Sequence, residues 1–197
     1  MSYVLGLTGP TGAGKSIFAQ CAASRGFNVI DCDISARKAV EKGTAGLSAL
    51  VCAFGEEILK DNGELDRKKL AEIAFSSKEN TELLNKTLLP HICEIVKSEI
   101  SGDYVLLDAP TLFESGINAV CNATAAVTAP IDLRKSRIIN RDGLSSAQAD
   151  ARIGAGKSDE FYYENADLVF INAGDIDSFQ KSVNIYLDDI IGGNKNE

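Results

Sequence analysis

The chain has 197 residues, 45% of them hydrophobic, which suits one domain with an ordinary core and room for inserted subdomains. Its formal net charge of −8 argues against a non-specific nucleic-acid binder, which would present a basic surface, and predicts an acidic, solvated exterior. No apolar run approaches the roughly 18 residues of a membrane span, and five scattered cysteines without a C-x-x-C pair indicate free thiols in a reducing compartment. The expectation is a soluble, cytoplasmic protein, a monomer or weak homo-oligomer, with no nucleic-acid or membrane partner.

Residues 3–8 (Tyr-Val-Leu-Gly-Leu-Thr) form a short apolar run expected to be a buried strand. It leads into Gly9-Pro-Thr-Gly-Ala-Gly-Lys-Ser16, a G-x-x-x-x-G-K-[ST] phosphate-binding loop. A helix is predicted from Ser16 to about Arg25, with Gly26 as its stop. Strand, loop and helix in that order separate a working phosphate loop from a chance match. Gly12 and Gly14 lack Cβ atoms, so the backbone turns tightly and aims N–H groups at one phosphate, while the helix N-terminus adds partial positive charge. Lys15 supplies a mobile full charge for the β- and γ-phosphates, and the Ser16 hydroxyl suits Mg²⁺. Thr11, Gly12, Ala13, Gly14, Lys15, Ser16 and Ile17 are the expected nucleotide contacts of this segment.

Further strands are predicted at 27–31, 103–108, 123–128 and 168–171, with helical patterns between them, so the fold class is α/β with a five-stranded, mostly parallel sheet. Residues 34–101 are too long for one crossover. They hold helical stretches at Gly46–Leu59, Leu65–Phe75 and Asn80–Ile100, the last expected to break or kink at Pro90. Residues 132–165 hold two more, broken near Gly143 and near Gly154 and Gly156. A final helix is predicted from about Asp175 to Ile191, with Phe179, Val183, Tyr186, Leu187 and Ile190 on one face, and residues 192–197 are expected to be disordered.

Acids at strand ends complete the pattern. Val29-Ile-Asp-Cys-Asp33 places Asp31 and Asp33 at the carboxyl edge of the sheet. Phosphoryl transfer to a hydroxyl needs a group that orients it and takes its proton, and Asp33 is the candidate. Arg37, one turn later, is placed to hold an acceptor phosphate or pair with an aspartate. Asp108, ending the 103–108 strand, is placed to hold Mg²⁺ directly or through water, and Glu114 just beyond it to shape an acceptor site. Arg134, Arg137, Arg141 and Arg152 cluster on a segment suited to a mobile flap, where arginines offset charge spreading over a transferring phosphoryl group. His91, the sole histidine, reads as structural, and Cys32, between two aspartates, is not read as a nucleophile.

Together these segments resemble the dephospho-CoA kinase family. The resemblance spans nearly the whole chain: Leu7–Ser16, Val29–Arg37, Phe54–Ile58, Asp61–Arg67, Leu84-Asn85, Asp108–Glu114, Arg137–Leu144, Ala166-Asp167 and Asn172-Ala-Gly174. It implies a three-layer P-loop NTPase that moves the γ-phosphate of ATP to the ribose 3′-hydroxyl of dephospho-CoA, the last step of coenzyme A synthesis, with Mg²⁺. It implies a core of 1–33, 102–139 and 164–191, an acceptor-binding insert at 34–101 and a lid at 140–163. On this resemblance Asp33 is the base, Arg137 and Arg141 contact nucleotide from the lid, and Asn172 and Gly174 lie near the adenine. Thr8, Pro110 and Leu112 join Asp33, Arg37 and Glu114 on the acceptor side. The chain departs from the family pattern at Leu89 (usually histidine), Thr111 (leucine), Gly156 (glutamine), Tyr162 (lysine) and Ile171 (aspartate). A kinase for another small acceptor, such as a nucleoside monophosphate, and a nucleotide-binding regulatory module with a degenerate lid are the competing readings.

Overall fold

Short apolar runs alternating with capped helices give the chain its layers. The computed structural model describes residues 2–193. Strand β1 (Tyr3–Thr8) runs into the phosphate loop and helix α1 (Lys15–Ser24), which ends at Arg25 before Gly26 turns the chain with φ 84°. Strand β2 (Asn28–Asp31) passes directly into α2 (Cys32–Ala39), followed by α3 (Ala45–Phe54), a 3₁₀ turn at Glu56–Ile58, α4 (Arg67–Ala74) and α5 (Lys78–Glu99). Then come β3 (Tyr104–Asp108), β4 (Ala123–Thr128), α6 (Ile131–Asp142), α7 (Ser146–Gly154), α8 (Asp159–Asn165), β5 (Leu168–Ile171) and α9 (Ile176–Gly193). The five strands lie in the order β2-β3-β1-β4-β5, and β1 pairs parallel with both β3 and β4, as β4 does with β5. Predicted and observed strands agree to within a residue at each end.

The chain divides into two units. The first is Met1–Val29, Ser101–Leu112 and Cys121–Glu197; the second is Ile30–Ile100 and Phe113–Val120. In the first, alternate residues of β1 (Leu5, Leu7) join Leu106, Ala125 and Val127 against Phe18 and Ala22 of α1 and Phe179, Val183 and Leu187 of α9. Each large side chain buried here contributes roughly 1.5–3 kcal/mol relative to exposure. Phe170 links α1 to α9, edge-on to Phe18 at 5.2 Å and to Tyr186 at 5.4 Å. The expected apolar face of the last helix is therefore the face that packs. That helix continues through Gly192 and Gly193, two residues earlier expected to be disordered; positions 194–197 lie outside the described residues.

Asp167 ties the starts of β4 and β5. Its carboxylate accepts the Thr124 N–H at 2.8 Å and hydroxyl at 2.7 Å, and its own N–H donates to Thr124 Oγ1 at 3.1 Å. The Thr124 hydroxyl, then the Thr124 backbone donor, hold its carboxyl below the ordinary 3.8. A lowered carboxyl contributes stability that is present above the unfolded value and is lost as pH falls through the folded one. Asp167→Ala is therefore expected to be about 1 kcal/mol less stable than the parent at pH 7, the carboxylate being partly solvated. In urea titrations the difference should shrink below pH 3.8; an equal difference at both pH values would contradict this.

In the second unit α5 packs against α2, α3 and α4. It runs unbroken past Pro90, against the expected interruption. Proline removes one hydrogen bond and costs about 3 kcal/mol in a helix interior, but α5 is held along its length, with Ile92 and Val96 buried a few residues on. The Asp61-Asn-Gly-Glu stretch makes a turn, closed by an antiparallel bridge between Leu59 and Leu65, with Gly63 at φ 77°.

Candidate active site

The phosphate loop leaves β1 at the carboxyl edge of the sheet and enters α1 at Lys15. Gly9 has φ 140°, and a Cβ there would stand 2.1 Å from the Val127 carbonyl oxygen; Gly14 has φ 106°, and a Cβ there would meet Asn172 Nδ2 at 2.3 Å. Both positions demand glycine for conformation and for space. The Ala13 N–H donates to Pro10 O at 3.2 Å, closing the bend, and Lys15 Nζ lies 3.3 Å from Gly9 O, so the lysine curls over its own loop. The first turn of α1 carries no acidic residue, leaving its N-terminal dipole uncancelled there, and Ser16 is exposed in that turn. Ile17 is half-buried and Ala13 fully buried.

Behind the loop stand Arg137 and Asn172. Arg137 donates to Gly12 O and Ala13 O, both at 3.3 Å, and to Asn172 O and Oδ1 at 3.2 and 3.3 Å. Asn172, 1% exposed, donates through Nδ2 to Ala13 O at 2.8 Å. Gly174 faces open space.

Register brings Asp108 beside Leu7, one residue before β1 ends, so its half-buried carboxylate stands at the same sheet edge as the loop. Thr8 is fully buried and donates its hydroxyl to Pro110 O at 3.1 Å; Leu112 is fully buried beneath Gly6. These side chains pin the ends of β1 and β3 rather than facing solvent.

Three ion pairs join α6 to the two helices that follow. Lys135 meets Asp150 at 2.7 Å, Arg152 meets Asp142 at 2.6 Å, and buried Arg134 lies 3.6 Å from Asp159. Arg141, expected to reach nucleotide, is forked onto the adjacent Asp142 at 2.7 and 2.9 Å, with its side chain 60% exposed. Arg141 heads the causes that hold the Asp142 carboxyl below its usual range, with Arg152 adding to the effect.

In the second unit the two aspartates of Val29–Asp33 separate into different jobs. Asp31 caps α2, accepting the N–H groups of Asp33 at 2.9 Å and Ile34 at 3.2 Å. That leaves Asp33 exposed in the first turn, with Arg37 exposed one turn on. Beneath them Ser35, 1% exposed, donates to Glu99 at 2.8 Å, and Lys38 reaches the same carboxylate at 2.6 Å, fixing α2 on α5. Asn85 donates to Glu114 O at 2.9 Å, and Glu114 Oε2 is buried without a hydrogen-bond partner among the described residues. Asn85, the second residue of the Leu84-Asn85 pair, thereby holds the Glu114 segment on α5, a role set by a contact 29 residues away in the chain.

A sequence model described as dephospho-CoA kinase matches residues 3–178. The chain belongs to the dephospho-CoA kinase family. It is 36% identical over 197 residues to a dephospho-CoA kinase of Enterococcus faecalis, covering 98% of this chain and 99% of that one. To a dephospho-CoA kinase of Oryza sativa subsp. japonica it is 38% identical over 180 residues, covering 88% and 78%. Among solved structures, TT1252 from Thermus thermophilus superposes with TM-score 0.76 at 30% identity, covering 95% and 97% of the two chains. A dephospho-CoA kinase from Campylobacter jejuni gives 0.65 at 28% identity, covering 98% and 100%. The fold is that of an α/β P-loop NTPase.

Several departures from the dephospho-CoA kinase family pattern are packing positions here. Leu89 lies against Gly116, where a Cβ would meet its Cδ2 at 3.1 Å. His91, one residue past the proline, sets its Cβ 3.3 Å from where a Gly46 Cβ would stand. Tyr162 is 3% exposed and serves as an anchor for α8. Lys157 lies over the Phe161 ring at 5.1 Å, a cation–π contact that binds its charge to α8. Ile171 is 60% exposed at the end of β5, and nothing in the structure explains it.

Proposed function

We infer that this kinase transfers the γ-phosphoryl group of ATP to the ribose 3′-hydroxyl of dephospho-CoA, releasing coenzyme A and ADP. The observation that carries this reading is a phosphate loop seated between β1 and α1 in a chain that matches the dephospho-CoA kinase family from residue 3 to 178. Loop N–H groups and the α1 dipole hold the β- and γ-phosphates, and Lys15 swings from Gly9 O onto them. Mg²⁺ fits the donors at this edge: the exposed Ser16 hydroxyl and the Asp108 carboxylate, hard oxygens of the kind the ion prefers, reached directly or through water. When bound, the ion neutralises charge on the phosphate oxygens.

Asp33 orients the acceptor hydroxyl and accepts its proton, a role open to it because Asp31 has taken the helix cap. Arg37 and Glu114 recognise the acceptor; the buried Glu114 Oε2 favours a ligand donor that satisfies it. Arg137 contributes charge behind the phosphate loop, and Arg141 exchanges Asp142 for phosphate when the segment 140–163 closes. Gly174, which faces open space, borders the adenine position, and Asn172, 1% exposed, lies close to it in the chain without reaching ligand. The acidic surface and scattered cysteines favour a cytoplasmic protein, monomeric or weakly self-associating, without nucleic-acid or membrane partners; no described helix is long and apolar enough to cross a membrane.

Incubation with ATP, Mg²⁺ and dephospho-CoA tests the assignment. The expected product is coenzyme A, one phosphate heavier than the acceptor by mass spectrometry. ATP consumption with a nucleoside monophosphate and none with dephospho-CoA would overturn it.

A further inference from the structure

We propose that Asn172 is a positioning residue that sets the direction of the peptide planes in the phosphate loop, with Arg137 as its partner. The inference rests on the reading of Gly9–Ser16 as the ATP phosphate site and not on the identity of the acceptor.

The geometry is specific. Asn172 is pinned at each of its polar groups: its N–H donates to Thr128 O at 2.8 Å, its carbonyl and Oδ1 accept from Arg137, and Nδ2 donates to Ala13 O at 2.8 Å. The side-chain amide therefore has one orientation, oxygen to the guanidinium and nitrogen to the loop. Arg137 adds bonds to Gly12 O and Ala13 O. In a trans peptide the C=O and N–H point in opposite directions. Holding the Ala13 carbonyl from behind thus turns the Gly14 N–H the other way, into the concave side of the loop. The bare Cα of Gly14 lets the amide come this close, since a Cβ would stand 2.3 Å from Nδ2. All four oxygens around Arg137 are uncharged, so its charge is retained behind the loop while its fork fixes the loop's shape. Asn172 being 1% exposed, its amide works through the loop, not by touching solvent-borne ligand.

The test is Asn172→Ala and Asn172→Asp in the full chain, read by calorimetric ADP binding, dephospho-CoA binding, steady-state KM for ATP, and Tm. Asn172→Ala removes the donor to Ala13. Asn172→Asp keeps the shape and gives Arg137 a carboxylate, but turns an oxygen against the Ala13 carbonyl and spends the guanidinium charge. We expect ADP affinity to fall about tenfold in Asn172→Ala, the scale of one or two lost buried hydrogen bonds, and further in Asn172→Asp. Dephospho-CoA affinity should stay within about twofold in both, with Tm falling by no more than the few degrees that one lost buried hydrogen bond accounts for. Unchanged ADP affinity in both variants would overturn the proposal. So would a loss of ADP and dephospho-CoA binding in step with a falling Tm, which would mark Asn172 as structural only. ADP binding reports on the loop whichever acceptor is phosphorylated, so failure of the acceptor assignment leaves this readout standing.

Discussion

Asp33→Asn is expected to lower kcat with dephospho-CoA at least about a hundredfold, the usual contribution of a positioned general base. Asparagine keeps the size of the side chain and its hydrogen-bonding reach but cannot take a proton. The fold should be indifferent to the change. Asp33 is exposed, and the cap of α2 rests on Asp31, whose carboxylate receives the Asp33 and Ile34 N–H groups. KM for ATP and Tm should therefore stay near the parent values, separating a chemical defect from a folding one. Turnover is followed by ADP release coupled to product mass. Near-parent kcat in a folded Asp33→Asn would remove this residue from the role of base and turn attention to Arg37 and Glu114 as the groups that handle the acceptor.

Lys15→Ala is expected to lower kcat/KM for ATP by at least about a hundredfold, in line with removal of a charge aimed at a developing phosphoryl transition state. The substitution costs the fold little. It removes a 3.3 Å hydrogen bond to Gly9 O at the start of α1, about 1 kcal/mol, and introduces a residue of high helix propensity. The loop is held from the other side by Arg137 and Asn172, so its path should survive. ADP should still bind through backbone N–H groups and the helix terminus, more weakly than to the parent. A kcat/KM within about fivefold of the parent, with Tm unchanged, would show that the ammonium group is not used at the phosphates, and the loop would need another source of charge.

These two residues illustrate where local information suffices. Lys15 is fixed by its place in an eight-residue motif, and the strand before it and helix after it are written in apolar runs and a terminal glycine. The P-loop, all five strands and the apolar face of α9 were accordingly legible in the sequence, because each depends on neighbours within a turn or two of the chain. The assignment to the dephospho-CoA kinase family was legible too, since its segments recur in order along the chain.

Contacts between residues far apart in the chain could not be read this way. The strand order β2-β3-β1-β4-β5 brings Asn172, 159 positions away, to Ala13, and only that approach shows the asparagine as part of the phosphate loop's support. The same holds for Arg137 and Arg141, one turn apart on α6: the Arg137 guanidinium faces loop carbonyls while Arg141 forks onto Asp142. Thr8 and Leu112 lie next to chemistry-bearing motifs in sequence, yet their side chains are buried. Pro90 signals an interruption by its lost hydrogen bond, and the packing of α5 on α2, α3 and α4 overrides it. Sequence determined which segments would be strand, loop or helix and which chemistry the phosphate loop carries, because those follow from backbone preference and residue type. Tertiary structure alone decided which polar groups are spent on holding the loop and which are left for ligand, because a hydrogen bond is assigned by distance in space and not by distance along the chain.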